Sequence, residues 1–190
     1  MRQLASKGRE GRLNKNLNTK LKFLAGSSYR HPMSLLTPVG VRIAALPFMP
    51  KFLPQIVTTD KKLLALTRGR LSVLDLAGLP NITLTTTGRK SGLPRPAQLL
   101  AVPRSDGSWL TAGSNFGQDA QPVWVLNVEA NPEVEVTRKG RTTPMLARKL
   151  EGDERQTARD EMMAVWPNIA LYEKRTAGGR EIKIFHLTPR

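Results

Sequence analysis

The stretch that decides the fold reads TTTGRKSGLPRP and runs from Thr85 to Pro96. Three β-branched threonines favour a strand, and the glycine that follows them ends it. Gly88 and Gly92 permit a tight turn, because glycine adopts backbone conformations that other residues avoid. The turn gathers cationic and hydroxyl side chains at one strand end: Arg89, Lys90, Ser91 and Arg95. Such a group is suited to binding a phosphate or a carboxylate.

Two interpretations of this turn are open from the segment alone. One is an anion-binding pocket, and the other is a solvated hairpin tip, because lysine and arginine are common in turns. Two phosphate-binding motifs are excluded. The segment lacks the GxxxxGK[ST] pattern of a P-loop, and no GxGxxG pattern leads into a helix.

The residue inventory excludes several kinds of active site. The chain has no cysteine, which excludes disulfides, thiol catalysis and zinc–thiolate centres. Its two histidines, His31 and His186, lie far apart in sequence, so no metal site is predicted. Neither histidine is accompanied by a G-x-S-x-G motif, and a histidine-based triad is therefore not expected.

The net charge of +15 is concentrated in the N-terminal part of the chain. Residues 1–80 hold 14 lysines and arginines against 3 acidic residues, whereas residues 81–190 hold 16 against 12. This asymmetry indicates an anionic partner. Four leucines recur at helical spacing between basic residues: Leu13, Leu17, Leu21 and Leu24. They predict a basic amphipathic helix on an anionic membrane surface; a disordered tail or a helix packed on the domain are the alternatives.

The predicted membrane association is peripheral. No run approaches the roughly 20 apolar residues that a spanning helix needs, and residues 1–20 are polar and basic, unlike a signal peptide. We therefore expect a cytoplasmic protein that associates with the inner face of the cell membrane. Nucleic acid is not the expected partner, because aromatic residues make up only 5% of the chain and no stacking platform is visible.

The pattern along the chain predicts a basic N-terminal extension, residues 1–58, and a folded domain, residues 59–190. An apolar connector rich in proline covers 33–58, and a helix covers 60–77. Further helices are predicted over 123–128, after a cap formed by Asp153 and Gln156, and from Pro167 to residue 174. The six predicted strands are 81–87, 97–103, 109–113, 133–137, 141–150 and 181–187. This alternation favours an α+β domain or an antiparallel barrel.

Four segments together resemble the deazaflavin (coenzyme F420)-dependent nitroreductase family. They are ITLTTTGRKSGLPR at 82–95, TAGSNFG at 111–117, PVWVLNVEANP at 122–132 and the region 172–187. The resemblance covers about two-thirds of the chain. It implies a split β-barrel of the flavin-reductase type that binds coenzyme F420 and transfers a hydride to quinones or nitroaromatic compounds. Several family members associate with membranes.

The resemblance also implies which residues form the site. The coenzyme's anionic tail would bind the turn residues named above. The ring would be lined by Pro96, Ala97, Gln98, Leu99 and Leu100. A second cofactor-binding segment would comprise Ala112, Gly113, Ser114 and Asn115, and a third Val123, Trp124, Val125, Leu126 and Asn127. For three of these, other roles are open: Ser114 as a loop hydroxyl, Trp124 as a core aromatic, and Asn127 as a bridge between loops.

Two departures from the family pattern concern the acceptor. The family's characterised nitroreductases place tyrosines along the final helical pair, where this chain has Trp166, Ile169 and Tyr172. The implied acceptor pocket is therefore more apolar, which suits a quinone better than a charged metabolite. In addition, Asn115 replaces a cation that often follows the loop serine.

The leading hypothesis is an F420-dependent oxidoreductase that reduces a quinone or nitroaromatic compound. Ser114 and Tyr172 are the candidate catalytic polar groups near the acceptor, and no metal is required. One alternative is a non-catalytic protein that binds F420 or a lipid-like ligand. Another is an FMN-dependent oxidoreductase, since related barrels use FMN and the cations of the turn suit either phosphate.

Overall fold

The computed structural model describes residues 49–190 and five residues before them, namely Pro38, Val41, Arg42, Ala45 and Leu46. All of these belong to one compact unit, Met33–Arg190. The predicted amphipathic helix with its four leucines lies outside the described residues. Among the described helices, none combines the length and apolar character needed to cross a bilayer.

Six antiparallel strands close into a barrel, in the order β1-β2-β3-β6-β5-β4. This confirms the antiparallel split-barrel fold that the sequence and the resemblance predicted. The strands are β1 Asn81–Thr87, β2 Pro94–Pro103, β3 Trp109–Ala112, β4 Glu133–Arg138, β5 Arg141–Lys149 and β6 Ile184–Pro189.

Alternating side chains fill the barrel interior. Along β1, Ile82 and Leu84 are fully buried and point inward, whereas the intervening Thr83 is only half-buried. The interior is completed by apolar residues from the other strands, and Trp124 packs edge-on against Phe185 with ring centroids 5.4 Å apart. The two-residue period of the strands thus produces one apolar core inside the barrel.

Residues 49–190 also form five α-helices and two 3-10 turns. The helices are α1 Leu53–Leu66, α2 Val73–Leu76, α3 Val123–Ala130, α4 Gly152–Val165 and α5 Asn168–Thr176; the 3-10 turns are Met49–Phe52 and Asn115–Gly117. Helix α3 contributes Trp124, Val125 and Val128 to the barrel core. Helices α4 and α5 form a second core outside the barrel, where Met162 and Ile169 pack with Leu110 and Ile184 of β3 and β6.

The prediction of one helix over 60–77 is wrong. Helix α1 ends at Leu66, and Arg68 and Gly69 have φ angles of 55° and 76°. These left-handed conformations are incompatible with a continuous α-helix. Helical structure begins again after Ser72. The Ser72 side chain caps α2 by accepting hydrogen bonds from the N–H groups of Leu74 and Asp75.

The prediction of an irregular connector over 33–58 is also wrong at its C-terminal end. Helix α1 begins at Leu53, and Pro54 occupies its first turn, where a proline is tolerated because its missing N–H has no helical partner. The helix runs without a break through residues 58 and 59, where the barrel domain was expected to start. The division of the chain at that point stays a prediction.

Smaller differences concern strand and helix ends. Strand β2 begins at Pro94 and β6 at Ile184, three residues from the predicted starts at 97 and 181. Helix α4 begins at Gly152, so Asp153 lies inside the first turn and does not cap the helix. The Gln156 side chain donates to Asp160 instead of closing a capping box.

Gly113 lets α3 approach the end of β3. A Cβ atom at this position would lie 2.6 Å from Cγ2 of Val125. We expect Gly113→Ala to lower the free energy of unfolding by about 1–3 kcal/mol, because the core must shift to accept the methyl group. Adding Val125→Ala should relieve the clash, so the double variant should lose less than the sum of the single variants. Urea denaturation measures all three; strict additivity would contradict the assigned contact.

Candidate functional site

The turn between β1 and β2 presents its cations to solvent. Arg89, Lys90 and Arg95 are all exposed, while Gly88 beneath them is buried. A Cβ at Gly88 would lie 2.7 Å from Oγ of Ser91 and 3.2 Å from Cγ of Arg95, so a larger residue would force these side chains to shift. Arg95 also donates from Nη2 to Ser91 Oγ at 3.3 Å. The structure therefore brings the predicted turn residues together at one strand end.

No acidic side chain neutralises this turn within the described part of the chain: none of its three cations appears in an ion pair of 4.0 Å or less there. Arg104 and Arg138, by contrast, each pair with a carboxylate at 2.7 and 2.6 Å. Two guanidinium groups, an ammonium group and a hydroxyl are the donor set that a phosphate or several carboxylates require. The residues present thus fit the anionic tail of the implied coenzyme.

Asn127 fixes the backbone of this turn from helix α3. Its side chain is 1% exposed; Oδ1 accepts from the Arg89 N–H at 3.2 Å, and Nδ2 donates to Thr86 Oγ1 at 3.0 Å. The Thr86 hydroxyl in turn donates to the Arg95 carbonyl at 3.3 Å. One buried amide therefore positions the main chain of both arginines, which corresponds to the bridging role left open for Asn127.

The predicted ring-lining segment on β2 is split between two faces. Ala97 and Leu99 pack on the barrel interior, while Leu100 packs on the outer core. The amide of Gln98 is engaged with β1, because it accepts from Thr83 Oγ1 and donates to Asn81 Oδ1, both at 2.6 Å. Pro96, at the turn end of the strand, is exposed. A strand cannot present all five side chains to one ligand.

The second predicted segment forms a loop held by arginines. After Ala112 the chain turns at Gly113 and Ser114 into the 3-10 turn Asn115–Gly117. The carbonyl oxygens of Gly113 and Ser114 accept hydrogen bonds from Arg180 at 2.8 and 2.7 Å. The Asn115 side chain donates to the Ala120 carbonyl at 3.0 Å, which draws the far end of the loop inward.

The third predicted segment is largely core. Trp124 and Val125 fill the barrel, and Leu126 is half-buried. Val123 is 63% exposed at the N-terminal end of α3. The aromatic ring of Trp124 thus has the core position that was its alternative reading, and Val123 is the member of this segment that solvent reaches most readily.

The three residues of the predicted acceptor pocket lie together in the outer core. Trp166, Ile169 and Tyr172 are 8%, 1% and 2% exposed. The Tyr172 ring lies 5.8 Å from that of Phe116, with the Arg175 guanidinium 5.7 Å from its centroid. Burial raises the pKa of Tyr172 to about 12, so its hydroxyl keeps its proton at neutral pH. Their role at the acceptor stays a prediction.

Contacts link the predicted segments into one continuous region. Asn127 joins the β1–β2 turn to α3, and Val125 of the same helix touches Gly113 in the loop after β3. At the other end of that loop, a Cβ on Gly117 would lie 3.1 Å from Cα of Tyr172. The order is therefore cationic turn, α3, loop 112–117 and α5. This arrangement places the predicted tail site at one end and the predicted acceptor residues at the other.

Another trio of polar residues is structural. Ser108 is 1% exposed; it donates to Asp106 Oδ1 at 2.6 Å and lies 2.8 Å from Nε2 of His186. In a hydrolytic triad the histidine stands between the serine and the acid, whereas here the serine stands between the other two. Burial, aided by Arg104, lowers the pKa of His186. Among the described residues, no group of histidine and acidic side chains forms a metal site.

Sequence analysis missed two residues of this region, Arg175 and Arg180. Arg175 donates to the carbonyls of Phe116 at 3.2 Å and Ala45 at 3.0 Å, and Arg180 makes four hydrogen bonds to the loop after β3. The acceptors lie 59 or more residues away in sequence, so no local pattern identifies these contacts. The available signal was that both arginines lie within the resemblance at 172–187, and that Arg180 follows two glycines.

Comparison with known proteins identifies the family of the chain. The model of a family described as F420H(2)-dependent quinone reductase matches residues 61–189. An F420H(2)-dependent quinone reductase of Mycobacterium tuberculosis is 34% identical over 70 residues, which is 37% of this chain and 46% of that protein. The chain thus spans less than half the length of the curated relatives it matches.

Two solved structures share the fold. The first is an F420-H2-dependent reductase, 35% identical, with a TM-score of 0.52; the match covers 57% of this chain and 93% of that one. The second is described only as a domain-swapped dimer. It is 31% identical, with a TM-score of 0.53, and the match covers 70% of this chain and 98% of that one.

Asn127→Leu should destabilise the protein by about 1–3 kcal/mol, because it leaves the Arg89 N–H and the Thr86 hydroxyl without their buried partner. The Arg89 amide should also exchange with solvent faster. Asn131→Leu is the matched control, since the hydrogen bond that Asn131 Oδ1 accepts, from the Glu133 N–H, is exposed. Urea denaturation with amide exchange measures both effects; equal losses in the two variants would contradict the role assigned to Asn127.

The buried Tyr172 should make stability fall at alkaline pH. Its folded pKa of about 12 exceeds the ordinary value of 10.0, so the unfolded chain loses the proton first. The stabilisation is complete below pH 10 and is lost as pH rises towards 12. The loss in the free energy of unfolding is about 1 kcal/mol by pH 11. Denaturation at pH 8 and pH 11 should show this extra loss in the wild type and not in Tyr172→Phe. Parallel losses in both proteins would show that Tyr172 is not the titrating group.

Proposed function

Because the chain belongs to the F420H(2)-dependent quinone reductase family, we propose that it is an oxidoreductase that transfers a hydride from reduced coenzyme F420 to a quinone. The observation that carries this proposal is the uncompensated cationic turn at Arg89, Lys90 and Arg95, joined through α3 to the loop after β3. Coenzyme F420 is the cofactor of this family. The activity, acceptor and partners of the whole protein belong to the proposal.

The cationic turn would hold the coenzyme's tail. Arg89 and Arg95 present planar donors that match phosphate and carboxylate oxygens in pairs, and Lys90 adds a point charge. Because Asn127 fixes the turn's main chain in the absence of ligand, less conformational entropy is lost on binding. The ring would lie beyond the turn, towards Pro96, Val123 and the loop after β3.

The protein's own contribution to the reaction is orientation and exclusion of water. When bound in its reduced form, the coenzyme supplies the hydride. The loop after β3 would hold the reacting partners close together through the Ser114 hydroxyl, whose contact with ring or acceptor is part of the proposal. The Tyr172 hydroxyl, protonated at neutral pH, can donate a hydrogen bond but is a poor proton source because of its raised pKa.

A quinone fits the neighbourhood of α5 better than a charged acceptor does. Trp166, Ile169 and Tyr172 belong to a buried apolar cluster. An acceptor that reaches α5 would therefore meet mainly apolar side chains, with the hydroxyl groups of Tyr172 and Ser114 as the polar contribution. Reduction of nitroaromatic compounds is the alternative to quinone reduction. Reaction with menadione but not with a nitroaromatic compound at matched concentration would favour the quinone.

Membrane association belongs to the proposal as well. The basic residues of the N-terminal part would place the enzyme on the inner face of the cell membrane, where quinones are dissolved. Replacing Lys15, Lys20 and Lys22 by glutamate should reduce cosedimentation with anionic vesicles while leaving reduction of a water-soluble quinone intact. Unchanged cosedimentation would contradict the role of this segment.

The first experiment compares F420 with FMN. Fluorescence titration at moderate salt should show saturable binding of the deazaflavin and not of FMN. Reduced F420 should then be oxidised by the protein when menadione is added. Preference for FMN would reassign the protein to flavin-dependent barrels. Binding of F420 without acceptor-dependent oxidation would favour the non-catalytic binding protein.

Arg89→Ala combined with Arg95→Ala should raise the Kd for F420 about tenfold or more, because charge-assisted hydrogen bonds to the tail are lost. The control is Lys139→Ala with Arg141→Ala, which removes the same charge from the exposed β4–β5 hairpin. Both pairs should leave the far-UV circular dichroism unchanged. Equal weakening in the two double variants would indicate general electrostatic attraction and contradict a site at the β1–β2 turn.

A further inference from the structure

Arg180 binds the loop after β3 with every nitrogen of its guanidinium group. Nη1 donates to the Gly113 carbonyl at 2.8 Å and to Gln121 Oε1 at 2.9 Å. Nη2 donates to the Ser114 carbonyl at 2.7 Å, and Nε donates to the Gln118 carbonyl at 2.8 Å. One side chain therefore connects both ends of the loop that contains Ser114.

These hydrogen bonds are unusual in their acceptors. All four are neutral oxygens, and Arg180 forms no ion pair within 4.0 Å among the residues that the structure describes. Burial lowers the pKa of Arg180, although Asp119 nearby opposes the shift. Because Arg180 is half-buried and forms no such ion pair, its charge is stabilised mainly by hydrogen bonds to the loop. Each of these bonds requires an acceptor oxygen of the loop to point at the guanidinium group.

The loop also needs external support. Asn115 and Phe116 have φ angles of 45° and 54°, a left-handed backbone conformation that residues other than glycine rarely adopt. Such conformations persist only where the surrounding structure holds them. Arg175 holds the Phe116 carbonyl at 3.2 Å, and Arg180 contacts residues on both sides of this strained pair, Ser114 and Gln118.

We infer that Arg180 is a positioning residue for the reaction: it holds Gly113 and Ser114 in the conformation that receives the coenzyme ring, and it sets coenzyme affinity without touching the coenzyme. This inference rests on the proposed function. It assigns a role to the segment between α5 and β6, which lies within the resemblance at 172–187 but from which no functional residue was predicted. A lysine cannot replace Arg180, since one ammonium group cannot span acceptors at both ends of the loop.

The test compares Arg180→Lys and Arg180→Gln with Arg155→Lys in the full chain. Arg155 is the matched control because its Nη2 donates at 3.2 Å to the Ile182 carbonyl, in the same segment, without contacting the loop. Gln121→Leu serves as a milder variant, since it removes one acceptor and keeps Arg180. Four quantities are measured. They are amide exchange of residues 113–118 in the ligand-free protein, the Kd for F420, and the KM for reduced F420 and the kcat with menadione as acceptor.

We expect both Arg180 variants to accelerate exchange in residues 113–118 and to raise the Kd and KM for F420 about tenfold or more, with a smaller change in kcat. Gln121→Leu should shift the same quantities less, and Arg155→Lys should leave them unchanged. Millimolar ethylguanidine should partly restore the affinity of Arg180→Gln, an effect that a general loss of stability would not produce.

Unchanged exchange in the Arg180 variants would overturn the inference whether or not F420 binds. Faster exchange with an unchanged Kd would overturn the positioning role and leave the proposed function intact. Equal effects from Arg155→Lys would assign the result to general destabilisation and overturn the inference. A wild-type protein that does not bind F420 would overturn the proposed function and the positioning role together.

Discussion

Closure of the six-stranded barrel is the constraint on which the candidate site depends. Every strand has a hydrogen-bonded neighbour on each side, which closes the sheet on itself. The interior is filled by apolar side chains and by Trp124 and Val125 of α3. A ligand must therefore bind outside the barrel or at the strand ends. The cationic turn, the loop after β3 and the exposed N-terminal end of α3 are segments of that kind.

Polar side chains within the structure mainly hold these segments in place. Asn127 fixes the turn, Arg180 fixes the loop, and neither is exposed to a degree that suits direct contact with a large cofactor. Arg89, Lys90 and Arg95 are arranged in the opposite way, being exposed and without acidic partners among the described residues. This division separates residues that shape the site from residues that would bind the coenzyme. It also explains how a family pattern can include buried residues such as Asn127.

Local sequence predicted the elements whose causes are local. The β-branched run of β1 and the glycines of the following turn lie where the sequence placed them, and the β4–β5 hairpin turns at Lys139 and Gly140, between the strands predicted over 133–137 and 141–150. The break at Arg68 was missed because arginine is a good helix former. Its left-handed φ accompanies the hydrogen bond from the Gly69 N–H to the Leu64 carbonyl at 2.7 Å, which ends α1. The separation of the predicted β2 lining residues onto two faces follows from strand alternation and was foreseeable.

The site residues depended on tertiary contacts and were harder to predict. An asparagine in a helix can bind a ligand, cap a loop or bridge two segments, and only the proximity of Arg89 and Thr86 distinguishes these roles for Asn127. Tyr172 carries a polar hydroxyl group, but the packing of α4 and α5 against β3 and β6 buries the residue. Arg180 binds acceptors that lie more than 50 residues earlier in the chain, a separation that no sequence motif records.

The most direct test of the site is a crystal structure of the full chain with oxidised coenzyme F420. We expect the phosphate within hydrogen-bonding distance of Arg89 and Arg95, and the ring against the loop at Gly113 and Ser114, with the Arg180 contacts intact. A phosphate bound elsewhere, for instance at the β4–β5 hairpin with Lys139 and Arg141, would contradict the site and the orientation proposed for the coenzyme.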